Sequence, residues 1–463
     1  MSNSVDRIPQ LVSPSVRCLV MGAGLSGEAA TELLLGLGAQ VTVSDRRSHE
    51  QLGPVVSRLQ ALGVRFIDED SAFRTILNFD LVITSPGVAK NHPVMEKARK
   101  LSIKVVGEIE LAFRYLDIPV IAITGSNGKT SVTELTGHIL HQCGLKVFVG
   151  GNIGNPLARF VSDKIKGSAP EADWAVLEIS SFQLETIEYF KARAAAFLNL
   201  TPDHLDRHET LAEYLKMKSR VFNRQDRKDL AVFNLDDEYV KNIAVNSTVF
   251  GFSRTKRPDF GAFGHDGLIE VVKGSELLAQ AHWSEFQLSG GHNMENVMAA
   301  VGLAGAADLS AAEALKAAKS FVAGNHRLKT VAEIDGVLYV DDSKGTNVGA
   351  VAAAIESFQR PIILILGGRD KDLDFQYLVP YVQARVKKLI LIGECRQKIR
   401  RSLGHLVPTE EAESMAETVS LAQKSSQRGD VVLLSPACAS FDMFRDYKER
   451  GDVFAGEVKK LKG

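Results

Sequence analysis

The sequence is poor in cysteine. Its four residues, Cys18, Cys143, Cys395 and Cys438, have spacings that match neither a zinc cage nor a disulfide framework. They are expected as reduced thiols in cores. Surplus charge is also missing, since 55 Lys and Arg stand against 56 Asp and Glu. Binding nucleic acid through phosphate neutralisation needs clustered excess cations, so no nucleic-acid partner is expected. No apolar run approaches the ~18 to 20 residues that cross a bilayer, and the opening MSNSVDRIPQ lacks a signal-peptide core. A cytoplasmic monomer without membrane insertion is expected. There is no internal repeat and no low-complexity tract. With 463 residues the chain is too long for one core, and two to three domains are expected.

What is present is a rhythm of short Val-, Ile- and Leu-rich runs, each followed by a polar or glycine-rich turn and then a helix-like stretch. VRCLVMG, DLVITSPG, PVIAITG, AVLEIS, AAFLNLTP, VLYVDDS, PIILILGG, KKLILIG and VVLLSPA are the clearest runs. This is the pattern of parallel α/β sheets, whose ligand crevices lie beyond the carboxyl ends of the strands. Boundaries near Gly107 and Gly324 divide the chain into 1–107, 108–323 and 324–463.

The first run enters Gly22-Ala-Gly24-Leu25-Ser26-Gly27, and the strand from Gln40 to Ser44 ends at Asp45. A GxGxxG turn offers amides and a helix N-terminus to a phosphate pair, and the acid suits a ribose hydroxyl. On its own this motif suggests a nicotinamide-dependent oxidoreductase, or a tight turn that binds nothing. Ser85-Pro86-Gly87 follows a parallel strand and should face the same crevice.

A second turn is more specific. The run 119–123 opens into Thr124-Gly125-Ser126-Asn127-Gly128-Lys129-Thr130-Ser131 and a helix, a shortened relative of the Walker loop. Its amides cradle phosphates, Lys129 is a point cation for the β and γ oxygens, and Thr130 offers a hydroxyl to Mg²⁺. Glu178 closes the next run as a hard oxygen ligand beside the loop. The His and Asp residues of 201–208 lack the cysteines or HExxH helix of a zinc hydrolase. In the amphipathic segment 211–222, spacing alone makes Lys218 a snorkelling surface cation. Further on, Asp342-Ser-Lys344, Gly367-Gly-Arg369-Asp-Lys371 and Ser435-Pro-Ala-Cys-Ala-Ser440 each end a run, and such a convergence of cations and hydroxyls suits a dicarboxylate.

TGSNGKTS (124–131), GGNIG (150–154), LEISSFQLE (177–185), NLTPDHLDRH (199–208), GGHNMENVMAA (290–300), NHRL (325–328), DDSKGTN (341–347) and SPACASFDMFRDYKERG (435–451) together resemble the ATP-dependent Mur ligases of peptidoglycan synthesis. The resemblance runs in order over nearly the whole chain. GAGLSG with SPGV, GEIEL at 107–111 and SPACASFD resemble the members that add D-glutamate to UDP-N-acetylmuramoyl-L-alanine. It implies a Rossmann-like N-terminal domain for the UDP substrate, a central P-loop ATPase-like parallel sheet for ATP, and a Rossmann-like C-terminal domain for the amino acid.

By that resemblance Leu25, Ser26, Asp45, Arg46, Ser85, Pro86, Gly87 and Asn152 contact the UDP substrate. Gly125 to Ser131 hold ATP phosphates with Arg327, Asn293 and Asn296 border the adenine, and Asp342 reaches the ribose. Lys344, Thr346, Lys371, Ser440 and Tyr447 surround D-glutamate. Thr130, Glu178, His204 and Lys218, the last as a carbamate, bind two Mg²⁺ ions; Lys129, His204, Lys218 and Lys344 form the catalytic set. Tyr447 departs from the phenylalanine expected there, and Gly345 from alanine.

The implied reaction is amide formation through an acyl phosphate, because a carboxylate accepts an amine only after it has gained a good leaving group. Addition of another amino acid, a nicotinamide-dependent oxidoreductase and a P-loop switch are the competing readings.

Overall fold

The structure, a computed structural model, describes residues 8–203, 205–288 and 290–461. His204 lies outside the described residues. Three sheets succeed one another along the chain, and the nine apolar runs picked out in the sequence all form strands.

The first sheet contains β1 (Arg17–Met21), β2 (Gln40–Ser44), β3 (Arg65–Ile67), β4 (Leu81–Thr84) and β5 (Lys104–Gly107), all parallel, in the order β3-β2-β1-β4-β5. The order reverses between β1 and β4, which opens a crevice at their carboxyl ends. The 22–27 turn leaves β1 there and the 85–87 loop leaves β4.

The second sheet is larger. It contains β6 (Val120–Thr124), β7 (Val147–Gly151), β8 (Trp174–Glu178), β9 (Ala194–Phe197), β10 (Leu230–Asn234), β11 (Thr248–Ser253), β12 (Phe260–His265), β13 (Leu268–Lys273) and β14 (Glu276–His282), ordered β14-β13-β12-β11-β10-β9-β6-β8-β7. The expected parallel sheet holds from β6 to β12, whereas β13 is reversed and pairs antiparallel with both β12 and β14. The cause is local. Asp266 and Gly267 both have positive φ, 45° and 74°, and make the two-residue turn that folds β12 onto β13.

The third sheet, β15 (Lys329–Ile334), β16 (Val337–Asp341), β17 (Ile362–Gly367), β18 (Val386–Ile392), β19 (Thr409–Ala412) and β20 (Val431–Leu434), is ordered β15-β16-β20-β17-β18-β19. Only β15 is antiparallel. Because β16, β20 and β17 are neighbours, the three polar clusters after them share one sheet edge.

The joints between the units differ. One apolar cluster runs from the first sheet into the second, uniting Leu33 and Leu34 with Ala158 and Val161 of the helix Leu157–Ile165. Glu110 closes this joint, accepting from the amides of Glu188, Tyr189 and Phe190 while Arg114 bonds it at 2.8 Å. The third sheet keeps its apolar clusters to itself, on residues after 327. Its contacts with the second sheet are mainly polar, so the third unit can part from the second without opening a core. Among the described residues no helix is long and apolar enough to cross a membrane.

Candidate functional site

The phosphate loop takes its shape from glycine. Gly128 has φ 82° and directly precedes the helix Lys129–Gln142. Asn296 Oδ1 lies 2.7 Å from where a Cβ on Gly128 would stand, so a side chain would collide with it. The loop is laced to the segment leaving β9. Ser126 N donates to Asn199 O at 2.9 Å, Asn127 N to Asn199 Oδ1 at 2.8 Å, and Ser126 Oγ to Thr201 O at 2.9 Å.

Lys129 folds over this loop and donates to the carbonyls of Gly125, at 2.9 Å, and Ser126, at 2.7 Å. Thr130 Oγ1 donates to Glu178 Oε2 at 2.6 Å, and Asn152 Nδ2 to Glu178 Oε1 at 2.7 Å. A hydroxyl and a carboxylate side by side are hard oxygen donors of the kind Mg²⁺ takes. Asn293 and Asn296 bond each other at 3.1 Å next to the loop.

Lys218 corrects its reading from spacing. It is 1% exposed, and its Nζ donates to Gly125 O at 2.7 Å and stands 4.5 Å from the centre of the Tyr214 ring. Burial, and then the charge of Lys129, hold its pKa well below that of an ordinary lysine, with Asp203 and Glu178 opposing. The snorkelling pattern fails because the helix Leu211–Ser219 turns this face toward the loop.

The crevice of the first sheet brings the expected uridine residues together at the ends of β1, β2 and β4. Ser85 Oγ donates to Gly22 O at 3.1 Å, and Leu25 is 72% exposed. Asp45 accepts from Ala23 N at 2.7 Å and is gripped by Arg47, at 2.9 Å to each oxygen. Burial raises its pKa, and these bonds outweigh that to bring it to about 2. Arg46 is exposed, and the arginine on the acid is Arg47. Between this crevice and the second sheet lies a cleft lined by Ser85, Pro86, Glu108, Gln183, Glu185 and Arg207. Glu108 Oε2 and Gln183 Nε2 are buried there without a partner.

At the third sheet's edge, Asp342 accepts from Ser435 Oγ at 2.6 Å, and burial pushes its carboxyl up to about 7. A Cβ on Gly345 would stand 2.5 Å from Asp342 Oδ2 and 2.8 Å from Ser435 Oγ, so the glycine that replaces the expected alanine makes room for this pair. Lys344 lies 5.0 Å from the Tyr447 ring centre, and burial, then Arg327, lower it to about 8. Lys371 Nζ reaches Thr346 O at 3.4 Å, and Ser440 is buried. Arg327 crosses to the second unit, bonding Ser131 Oγ at 3.1 Å and Glu134 at 3.0 Å.

Sequence reasoning gives no role to Arg207 or Asn347, though the first stands in NLTPDHLDRH and the second in DDSKGTN. Arg207 grips Glu185 with two nitrogens, at 3.1 and 2.7 Å, and donates to Pro86 O at 2.9 Å. Asn347 reaches Asn127 and Asp203. For Asn347 the available signal is its N-cap position before a helix; the contacts across units leave no local trace.

Comparisons with known proteins agree along the chain. Residues 16–107 match the model of the MurD-like N-terminal domain of Mur ligases, 123–304 that of the Mur ligase middle domain, and 326–438 that of the Mur ligase glutamate ligase domain. A UDP-N-acetylmuramoylalanine–D-glutamate ligase of Syntrophus aciditrophicus is 43% identical over 446 residues, 96% of this chain and 97% of its own. A ligase of the same name from Geobacter metallireducens is 42% identical over the same shares. Among solved structures, the MurF ligase of Thermotoga maritima in complex with ADP matches with a TM-score of 0.61 at 15% identity, over 97% of this chain and 96% of that one.

Proposed function

The chain belongs to the Mur ligase family, and from that premise we propose its reaction and the residues that carry it. It is an ATP-dependent ligase that adds D-glutamate to UDP-N-acetylmuramoyl-L-alanine in the synthesis of peptidoglycan precursors. The observation that carries the assignment of residues is the approach of the third unit to the phosphate loop, with Arg327 bonded to Ser131 and Glu134 and Lys344 close to Glu178 and Lys129.

In the first step a carboxylate oxygen of the alanyl end attacks the γ-phosphorus of ATP, and the bond from that phosphorus to the β-bridging oxygen breaks. ADP leaves and an acyl phosphate forms. In the second step the amine nitrogen of D-glutamate attacks the acyl carbon, the carbon–oxygen bond breaks, and phosphate leaves as the amine loses its proton. Catalysis of such a transfer is mostly positioning and charge compensation.

The residues divide that work. The amides of 125–131 and Lys129 compensate the transferring phosphoryl group, and Arg327 adds a cation from the third unit. Asn293 and Asn296 border the base, and Asp342 takes the ribose. Leu25, Ser26, Asp45, Arg46, Ser85, Pro86, Gly87 and Asn152 hold the UDP substrate. Lys344, Thr346, Lys371, Ser440 and Tyr447 hold the dicarboxylate, with Lys344 able to give up or keep a proton near neutral pH.

Mg²⁺ fits the donors. Thr130 and Glu178 supply oxygens, and His204 with Lys218 would serve a second ion. As an amine, Lys218 offers no oxygen; as a carbamate it does. When bound, the metal would supply positive charge to the phosphate oxygens.

The test is phosphate release from ATP and Mg²⁺ with UDP-N-acetylmuramoyl-L-alanine, comparing D-glutamate with L-glutamate, L-alanine and a diamino acid. Release that depends on D-glutamate is expected. Equal release with another amino acid would refute the reading.

A further inference from the structure

The helix Val348–Glu356 of the third unit meets the phosphate loop through its first turn. Asn347 caps this helix, with its Oδ1 accepting from Ala350 N at 2.8 Å. That bond fixes the amide's orientation, since a backbone N–H needs the oxygen. The nitrogen must then face the other way. It donates to Asn127 Oδ1 at 2.9 Å and to Asp203 Oδ2 at 3.3 Å, both in the second unit, and the residue is buried.

Asn127 is fixed on its other side, with its Nδ2 donating to Thr201 Oγ1 at 3.2 Å. One line of amides and hydroxyls therefore runs from the segment leaving β9, through the phosphate loop, to the cap of a helix in the third unit.

Gly349 completes the contact. A Cβ on it would lie 2.8 Å from Asn127 Nδ2, 2.8 Å from Thr201 Oγ1 and 3.1 Å from Thr201 Cγ2. Its φ is not in the left-handed region, so glycine is needed here for close approach and not for backbone shape.

We propose that Asn347 and Gly349 form a docking seat that sets the third unit in register on the phosphate loop, with Asn347 a positioning residue for ligation. The seat rests on the ligase reading, in which Arg327 and Lys344 must be brought to the phosphate loop from another unit. It touches neither the reacting atoms nor the groups assigned to D-glutamate. Because among the described residues the surrounding interface is mainly polar and shares no apolar cluster, a few contacts of fixed geometry decide where the unit lands.

Two substitutions separate docking from folding. Asn347→Asp keeps the cap, for which aspartate is as good, but removes the donor and sets a carboxylate against Asp203 and Asn127 Oδ1. Gly349→Ala improves helix propensity while obstructing the seat. With ATP, Mg²⁺, UDP-N-acetylmuramoyl-L-alanine and D-glutamate, each variant is expected to lose about 10²-fold in kcat, with binding of a fluorescent ATP analogue changed by about 2-fold or less. Melting temperatures should not fall. Hydrogen exchange with the ATP analogue bound should rise in 125–131 and 199–203.

Near-normal kcat, or unchanged exchange, in both variants would overturn the seat. So would a loss of activity matched by a fall in melting temperature in both variants, which would make the contact a stabilising one and not a positioning one. If the wild-type chain makes no product, the ligase reading fails by itself, and the exchange measurement still decides the seat.

Discussion

Lys129 and Lys218 donate to the same carbonyl oxygen, that of Gly125, at 2.9 and 2.7 Å. Two ammonium groups on one acceptor repel, and the buried one is the one driven toward its neutral form. A neutral amine can attack CO₂, giving up a proton as the carbamate forms. Lys218→Ala is therefore expected to depress ligation by about 10²-fold or more, with partial recovery when acetate fills the vacated position. Initial rates with and without acetate, in CO₂-depleted and CO₂-supplied buffer, check this. An alanine variant of normal activity in CO₂-depleted buffer would sink it.

Lys129→Ala is expected to lower kcat by about 10³-fold and leave affinity for the UDP substrate within about 2-fold. Lys129 sits on the loop after β6, whereas the assigned uridine residues sit at the ends of β1, β2 and β4. Calorimetric titration with UDP-N-acetylmuramoyl-L-alanine beside steady-state kinetics tests the separation. Loss of UDP-substrate binding would contradict it.

Arg207→Gln should act through the substrate cleft. The guanidinium stacks on Phe182 at 4.3 Å, grips Glu185 and holds the Pro86 carbonyl, joining the second unit to a loop of the first. The KM for the UDP substrate is expected to rise about 10-fold, with kcat within about 2-fold. An unchanged KM would show that the 85–87 loop holds its place without this strut.

Stability should decline as pH rises from about 4 to about 7. Burial pushes the Asp342 carboxyl up to about 7, against the pull of Ser435 and the Leu328 amide, and burial also raises Glu108 to about 7 against the Ala158 amide. An unfolded carboxyl titrates near ~4. Both folded pKa values are raised, so the contribution is complete below ~4 and is lost as pH rises through about 7. Melting temperatures from pH 5 to 8 should fall, and Asp342→Asn and Glu108→Gln should each flatten the profile. Profiles parallel to the wild type in both variants would refute the assignment.

Much of this molecule can be read locally. Ile121, Ile123 and their neighbours in β6 announce a buried parallel strand, and Gly125 to Thr130 announce a phosphate loop and its helix, because strand, turn and helix are set by adjacent residues. The pair at 266–267 is a hairpin signal of the same kind, within a stretch whose glycines blur its alternation. Lys218 is different. Its environment comes from Gly125, Tyr214 and Lys129, and only Tyr214 is near it in the chain, so helical spacing carries no information about its burial. Arg207 and Asn347 likewise owe their contacts to loops of other units, and Cys395 and Cys438, unpaired by spacing, have thiols that meet through the third sheet.

The position of β20 has a consequence for how the chain is made. It lies between β16 and β17, yet it is synthesised well after both of them. Until Val431–Leu434 has left the ribosome, β16 and β17 each present an unpaired, apolar edge, a template for other nascent chains. The first sheet carries no such delay, since its strands are complete by Gly107. A chain released at residue 430 should thus fold its first unit, leave its third open to protease and aggregate through it, a difference that limited proteolysis of the two lengths would display.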